Sequence, residues 1–235
     1  MIGLDRPLRP NWIYETLKMI EVGENPSNYN IPFESIAKEL VGKEGKRKVR
    51  TVIFRSFIYT MQEKRTKIEH NLFLDLCEKL TLNEIKPLLL IKILIDYDAT
   101  RFVTQKIRLL LDHSRSLNTE SLTKKIVTEY GDRDVVKRSM RSFLKTLEFF
   151  EICEVQDKKT LKLHPFPTLD NQQLRLALII YAECYLKSRV IDLIELDEDI
   201  FFFCGTPQFD EVGREFNGAD WEFVLDGTRR MLLLK

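Results

Sequence analysis

Lys137, Arg141 and Lys145 stand four residues apart, and side chains at that spacing share one face of a helix. Arg133 and Arg138 lie beside them. With Asp132 and Asp134 as the opposing acids, five cations meet two anions, a local charge of +3. The chemistry such a face offers is anion binding. A helix about 12 Å across fits the DNA major groove, where lysine and arginine on its open side reach phosphates and guanine edges. A second cluster lies upstream: Lys43, Lys46, Arg47, Lys48, Arg50 and Arg55 oppose only Glu44, a local charge of +5. Lys158 and Lys159 add two cations in a polar turn, within reach of a neighbouring phosphate.

The two clusters belong to copies of one unit. Shifted by 86 positions, residues 34–61 align without a gap on residues 120–147, and 11 of the 28 pairs are identical. Among them are Arg47/Arg133, Arg55/Arg141, Ser56/Ser142, Phe57/Phe143 and Gly45/Gly131. Internal similarity means one structural unit used twice. Each copy reads as a short helix, a glycine turn and a basic second helix, the layout of a helix-turn-helix. Core packing does not require that arginines recur, so Arg47/Arg133 and Arg55/Arg141 are expected to be exposed. Thr51 and Arg55 occupy the positions that match Lys137 and Arg141. The symmetry has a gap, because Arg50 lies over apolar Val136.

The elements that must carry these residues follow from periodicity. In the first copy Phe33, Ile36, Ala37 and Leu40 face inward, the GKEG segment 42–45 makes the break, and the second helix starts near Lys46. Val49, Ile53, Phe57 and Met61 then form a buried stripe. In the second copy Thr119 reads as an N-cap, Leu122, Ile126 and Val127 face inward, Gly131 turns the chain, and Asp132 caps the next helix. That helix buries Val136, Met140, Phe143, Leu144 and Leu147. After Phe150 the pattern ICEV, QDKK, TLKL alternates apolar and polar residues around a polar turn, a β-hairpin signature. A hairpin directly behind a recognition helix is a wing. The first copy is followed by QEKRTKIEHN instead, so only the second is expected to be winged.

Elsewhere, residues 1–10 read as an arm and Asn11 as the cap of a helix over 12–22. Residues 23–30 read as a loop, and Pro32 as the start of the first copy's opening helix. A short helix covers about 71–79. Residues 81–114 read as two helices broken near 96–100. They are apolar on most sides, as befits the centre of a bundle, with Pro87 better suited to a helix start. A helix over 174–186 with Leu178, Tyr181, Ala182 and Tyr185 inward precedes short strands at 200–204, 221–225 and 231–234.

The net charge of +1 hides an asymmetry. Residues 189–226 hold eleven acids and two arginines, a charge of −9, which leaves +10 on the remainder. The acidic stretch reads as an interaction surface for other subunits or a shield for the basic face. Asp197, Glu198 and Asp199 could hold a divalent cation, but no metal motif accompanies them and a solvated turn is the preferred reading. Trp221 and the phenylalanines 201–203 read as core. Four scattered cysteines and three isolated histidines show no metal-ligand spacing. Nine glycines include no phosphate-binding loop, and no nucleophile elbow or HExxH occurs. The expectation is a protein without catalytic activity or cofactor. The N-terminus lacks an apolar leader and the apolar run 88–95 is too short to span a bilayer, so a cytoplasmic protein is expected, with no membrane partner.

The run LLLIKILIDYDATRFVTQKIRLLL, followed by ESLTKKIVTEYGDRDVVKRSMRSFLKTLEFFEI, resembles the small helical BrxA family of bacterial phage-defence (BREX) loci. The likeness covers residues 36–152 and leaves the acidic end unmatched. It implies a DNA-binding accessory subunit with no activity of its own. The whole reading is a mainly α protein: a helical bundle with two helix-turn-helix units, the second winged by a β-hairpin, and a small α/β C-terminal segment. The segments are 1–80, 81–118, 119–166 and 167–235. Its expected partner is double-stranded DNA, bound as an accessory subunit of a defence system or as a regulator. The rival reading is a tandem winged-helix adaptor that scaffolds a protein complex and ignores nucleic acid.

Overall fold

The centre of the protein is set by a segment that is apolar all round. Leu88 to Asp96 is buried at every position, and a helix of that kind must be enclosed by others. The computed structural model, which describes residues 3–59 and 66–235, shows how. Eleven α-helices and six strands occur among them, in chain order. They are α1 (Pro10–Met19), α2 (Pro32–Ile36), α3 (Lys43–Ile53), α4 (Leu72–Lys79), α5 (Leu82–Asp96), α6 (Asp98–Leu110), β1 (Ser116–Asn118), α7 (Thr119–Tyr130) and α8 (Asp134–Phe149). Then follow β2 (Cys153–Val155), β3 (Thr160–Leu163), α9 (Asn171–Ile180), β4 (Val190–Asp192), α10 (Glu198–Phe201), α11 (Phe209–Glu215), β5 (Trp221–Asp226) and β6 (Arg229–Leu234). The architecture is mainly helical, with two three-stranded antiparallel sheets ordered β1-β3-β2 and β4-β6-β5. No helix among the described residues is long and apolar enough to cross a membrane.

Helix α5 starts from a capping box in which Thr81 and Glu84 exchange side-chain and backbone hydrogen bonds, satisfying N–H groups that lack a helical partner. It packs against α1, α6, α9 and α10. Within it Lys92 and Asp96, one helical turn apart, form a buried ion pair. Pro87 lies inside α5 rather than at its start. The flanking apolar burial outweighs the one backbone hydrogen bond that proline cannot make. The break to α6 falls at Tyr97, whose extended backbone separates the helices.

The second copy takes its expected form: α7, a turn at Gly131 (φ 83°), α8, then the β2–β3 hairpin. The hairpin pairs Cys153 with Leu163 and Val155 with Leu161, and β1 adds on the other side of β3, Ser116 opposite Lys162. Two caps differ from expectation. Asn118, not Thr119, caps α7 by accepting from the Ser121 amide at 2.9 Å. Arg133, not Asp132, precedes α8 and makes no side-chain cap.

The first copy departs further. Its opening helix α2 has only five residues, and α3 begins at Lys43, so Gly45 is helical rather than the turn. The left-handed turn residue is Gly42 (φ 87°), where a Cβ would be strained. Sequence identity therefore aligned the wrong glycines. After Ile53 the helix widens into a π-helical turn, Phe54–Ile58. Val49, Ile53 and Phe57 are buried as expected; Met61, and the Thr60 of the Thr60/Thr146 identity, lie outside the described residues.

Three other expectations change. The arm is packed: Leu4 and Leu8 are fully buried, and the Leu8 amide donates to Thr146 Oγ1 of α8 at 3.0 Å. Helix α1 starts at Pro10 with Arg9 before it, not at an Asn11 cap. Residues 200–204 are helical, not a strand, because the Asp197 side chain caps α10 through the Asp199 amide. A single buried cluster runs from Leu4 to Leu232, so the four sequence segments share one core.

Candidate nucleic-acid interface

Helix α8 has one dry face and one wet face. Val136, Met140, Phe143, Leu144 and Leu147 are buried. Ser139, Ser142 and Thr146 are also buried, and Thr146 Oγ1 bonds back to the Ser142 carbonyl at 2.9 Å. The opposite face presents Arg138, Arg141 and Lys145 to solvent, with Lys137 half-buried at its edge. Burying a Phe or Leu side chain contributes about 1.5–3 kcal/mol, so the rotation of α8 is fixed and the cations cannot turn inward.

The hairpin is held at a set distance from this face. Its turn closes through Gln156 N to Thr160 O at 3.0 Å and Lys159 N to Asp157 Oδ1 at 2.7 Å. That amide holds the Asp157 carboxyl below the usual carboxylate range. The start of α7 grips the turn: the Thr119 amide and hydroxyl both donate to the Lys159 carbonyl, at 2.8 and 3.0 Å. Between α8 and the hairpin lies an open groove of about 330 Å³. Lys137, Arg141, Lys145 and Lys158 line it over an apolar floor of Met140, Leu144 and Leu161.

The cations differ in how they are partnered. Lys137 pairs with Asp132 at 2.5 Å, Lys145 with Glu148 at 2.6 Å and Lys159 with Glu120 at 2.9 Å. The Lys145 ammonium also sits 5.1 Å from the Phe149 ring centroid. Among the described residues, Arg138, Arg141 and Lys158 have no ion pair or side-chain hydrogen bond. Arg141 is thus an exposed guanidinium of the groove lining without an ion-pair partner. Exposed pairs of the Lys145 kind contribute little, about 0–1 kcal/mol, and exchange readily for another anion.

The first copy's basic residues are arranged otherwise. A concavity of about 430 Å³ in front of α3 is lined by Lys43, Lys46, Arg47 and Arg50, together with Glu34 and Glu44. Lys46 Nζ donates to the Glu34 carbonyl at 3.2 Å, and Arg47 forks onto Glu44 at 2.9 Å. Arg50 donates to the Pro26 carbonyl at 3.2 Å and stacks 4.9 Å from the Phe54 centroid. Burial lowers its pKa from the ordinary arginine value. Thr51 spends its hydroxyl on the Arg47 carbonyl at 2.8 Å, and Lys48 is exposed.

The duplicated arginines do not share one face. Arg55 is half-buried, with Nη2 3.4 Å from the Tyr97 hydroxyl, while its counterpart Arg141 is exposed. Arg133 is exposed and donates to the Tyr130 carbonyl at 2.9 Å. Arg55 and Arg133 line a third cleft, walled by α6, α7 and the N-terminal half of α8, which shares only Met140 with the hairpin groove. Ser56, identical to Ser142, is 3.1 Å from the Tyr97 hydroxyl. Met140 and Leu144 of the floor were read as buried and Asp132 as an opposing acid, but the carboxylates that line the groove, Glu148 and Asp157, were not singled out from the sequence. Lys145 and Glu148, three residues apart on one helix, carried a local signal; Glu120, the partner of Lys159, carried none.

Several carboxylates of the acidic end pair with nearby arginines. Arg108 meets Glu198 at 2.5 Å and Asp199 at 3.2 Å, and Arg175 forks onto Asp220 at 2.5 Å. Asp197 takes the Tyr185 hydroxyl at 2.9 Å besides capping α10. Among the described residues no ion pair joins residues 189–226 to α3 or α8, and no three potential ligands cluster as for a metal ion. Trp221, Phe201 and Phe203 are buried core, and Trp221 Nε1 donates to the Gly213 carbonyl at 2.9 Å. The four cysteines are free thiols, and burial pushes Cys204 and Cys153 up to about 12. No protein family, curated protein or solved structure matches this chain.

Proposed function

We propose that the protein is a non-catalytic binder of double-stranded DNA, and that its second repeat is a winged helix-turn-helix with α8 as the recognition helix. The observation that carries this reading is the groove between α8 and the hairpin, lined by four cations against the two carboxylates Glu148 and Asp157, with Arg141 exposed and unpaired among them. A duplex backbone supplies the row of anions such a groove fits, and exchange of Asp132 and Glu148 for phosphates frees Lys137 and Lys145 to join. Binding is mostly through phosphates, with Arg141 placed to reach a base edge. The α3 cluster, led by exposed Lys48 and Arg47, is an auxiliary backbone contact. The resemblance to BrxA proteins supports a place as an accessory subunit of a defence complex or as a regulator. The test is an anisotropy titration of a random-sequence labelled duplex at low salt. Wild type should bind, and Arg141→Ala with Lys145→Ala should weaken binding about tenfold or more. An unchanged double variant would remove α8 from the interface.

One observation favours a second reading. Three of the basic side chains already have carboxylate partners and the groove floor is apolar, which also suits an adaptor that docks a protein segment there. Affinity capture with and without nuclease separates the readings. An adaptor keeps its protein partners after nuclease treatment and ignores free duplex.

A further inference from the structure

The third cleft has the features of a small-molecule site. It encloses about 440 Å³, within the range of ligand pockets, about 300–1,000 Å³. Its walls are apolar: Val103 from α6, Ile126 from α7, and Val135, Val136 and Met140 from α8. The N-terminal arm closes one side. Gly3 approaches α8 so tightly that a Cβ there would fall 2.0 Å from Ser139 Oγ. Val135, the residue identical to buried Val49 of the first copy, is 52% exposed here. A valine left in water at the lip of an apolar cleft has surface to gain from an occupant.

The cleft also carries charged groups. Arg55 and Arg133 both line it, against the single carboxylate Asp5. Arg55 Nε is buried and has no hydrogen-bond acceptor. The Arg55 guanidinium lies 5.9 Å from the Tyr97 ring centroid, with Nη2 3.4 Å from its hydroxyl and the Asp96 charge nearby, while Nε keeps no acceptor of its own, which is costly. Its neighbour Asp96 is engaged by Lys92. Arg133 gives one N–H to Tyr130 and makes no ion pair among the described residues. Asp98, close to the Tyr130 ring, is held by Arg101. The fork of a guanidinium matches a carboxylate or sulfonate.

We propose that this cleft binds a small amphipathic organic anion: an aryl or alkyl body among Val103, Ile126, Val136 and Met140, with its acid group on Arg55 and Arg133. The proposal does not depend on the DNA reading, because its test involves no nucleic acid.

The probe is 1-anilinonaphthalene-8-sulfonate, followed by fluorescence on the full chain, with its uncharged analogue N-phenyl-1-naphthylamine as control. Two exposed positions are varied, so that the fold is kept: Arg133→Ala removes one guanidinium, and Val135→Trp fills the mouth. Far-UV circular dichroism checks that both fold. The sulfonate should bind one to one. Arg133→Ala should weaken it about tenfold or more, the scale of a lost charge-assisted hydrogen bond, and leave the neutral analogue within about twofold. Val135→Trp should abolish both. No saturable binding of the sulfonate, wild-type sulfonate affinity in either variant, or an equal loss of both probes in Arg133→Ala overturns the proposal.

Discussion

The two copies of the repeat keep the same buried phenylalanine and turn the same arginine in opposite directions. Phe57 and Phe143 are both fully buried, yet Arg55 lies against Tyr97 while Arg141 stands in solvent. The cause is what each helix packs on. The turn after α3 lies against the end of α5, where Asp96, Tyr97 and Ser56 form a polar cluster that draws the guanidinium in. Helix α8 instead packs its serines and threonine on the arm and on α6, and a hairpin stands off its other side. The repeat keeps Phe57/Phe143 and Ser56/Ser142 buried but not Val49/Val135, of which only Val49 is buried; the neighbours decide what the remaining positions do.

The largest expected effects test the shared half of this comparison. Phe57→Ala and Phe143→Ala should each destabilise the protein by about 3–5 kcal/mol, read from urea unfolding. A cost below about 1 kcal/mol for Phe57→Ala would mean that the first copy is not built on the same core as the second.

Comparable in size is the consequence of the polar cluster that only the first copy has. Asp96→Ala leaves the buried Lys92 ammonium without its partner and should cost about 3–5 kcal/mol. Glu148→Ala, which frees Lys145 on the solvent side of α8, should change stability by no more than about 1 kcal/mol. Similar costs for the two would mean that the contrast between a buried and an exposed ion pair is misplaced.

The smallest effect concerns the acidic end. Arg175 holds the Asp220 carboxyl below its usual range by hydrogen bonding to both of its oxygens. A depressed folded-state pKa contributes stability that is present above the unfolded value, about 4, and is lost as pH falls through the folded one. Arg175→Ala should therefore cost about 1 kcal/mol at pH 7 and progressively less as pH falls below about 4. A cost that persists undiminished at pH 3 would assign it to the packing of Arg175 over the Phe216 ring, 5.3 Å away.

What could be read from the sequence was what local periodicity encodes. The α8 stripe, the β2–β3 hairpin and the break between α5 and α6 follow from spacing alone. The three-residue strands β1 and β4 do not, since each exists only through its partner, β3 or β6. Phe201 to Phe203 read equally as strand or helix by apolarity, and the Asp197 cap decides it. Gly45 was matched with Gly131 by identity, whereas backbone conformation matches Gly42. The inward turn of Arg55 had no local signature, because the groups that hold it lie about forty residues away on α5. The groove was half legible: Lys137, Arg141 and Lys145 followed from the i, i+4 spacing, but the pairing of two of them, Lys137 with Asp132 and Lys145 with Glu148, did not.

If the α8 groove binds a polyanion, as proposed, the salt dependence of duplex binding reveals it. Four cations engaging phosphates should give a slope of log K against log salt of about −3 to −4, and Arg141→Ala with Lys145→Ala should make it shallower by about 2. A duplex that does not bind at the lowest salt, or a slope that the double variant leaves untouched, contradicts the account.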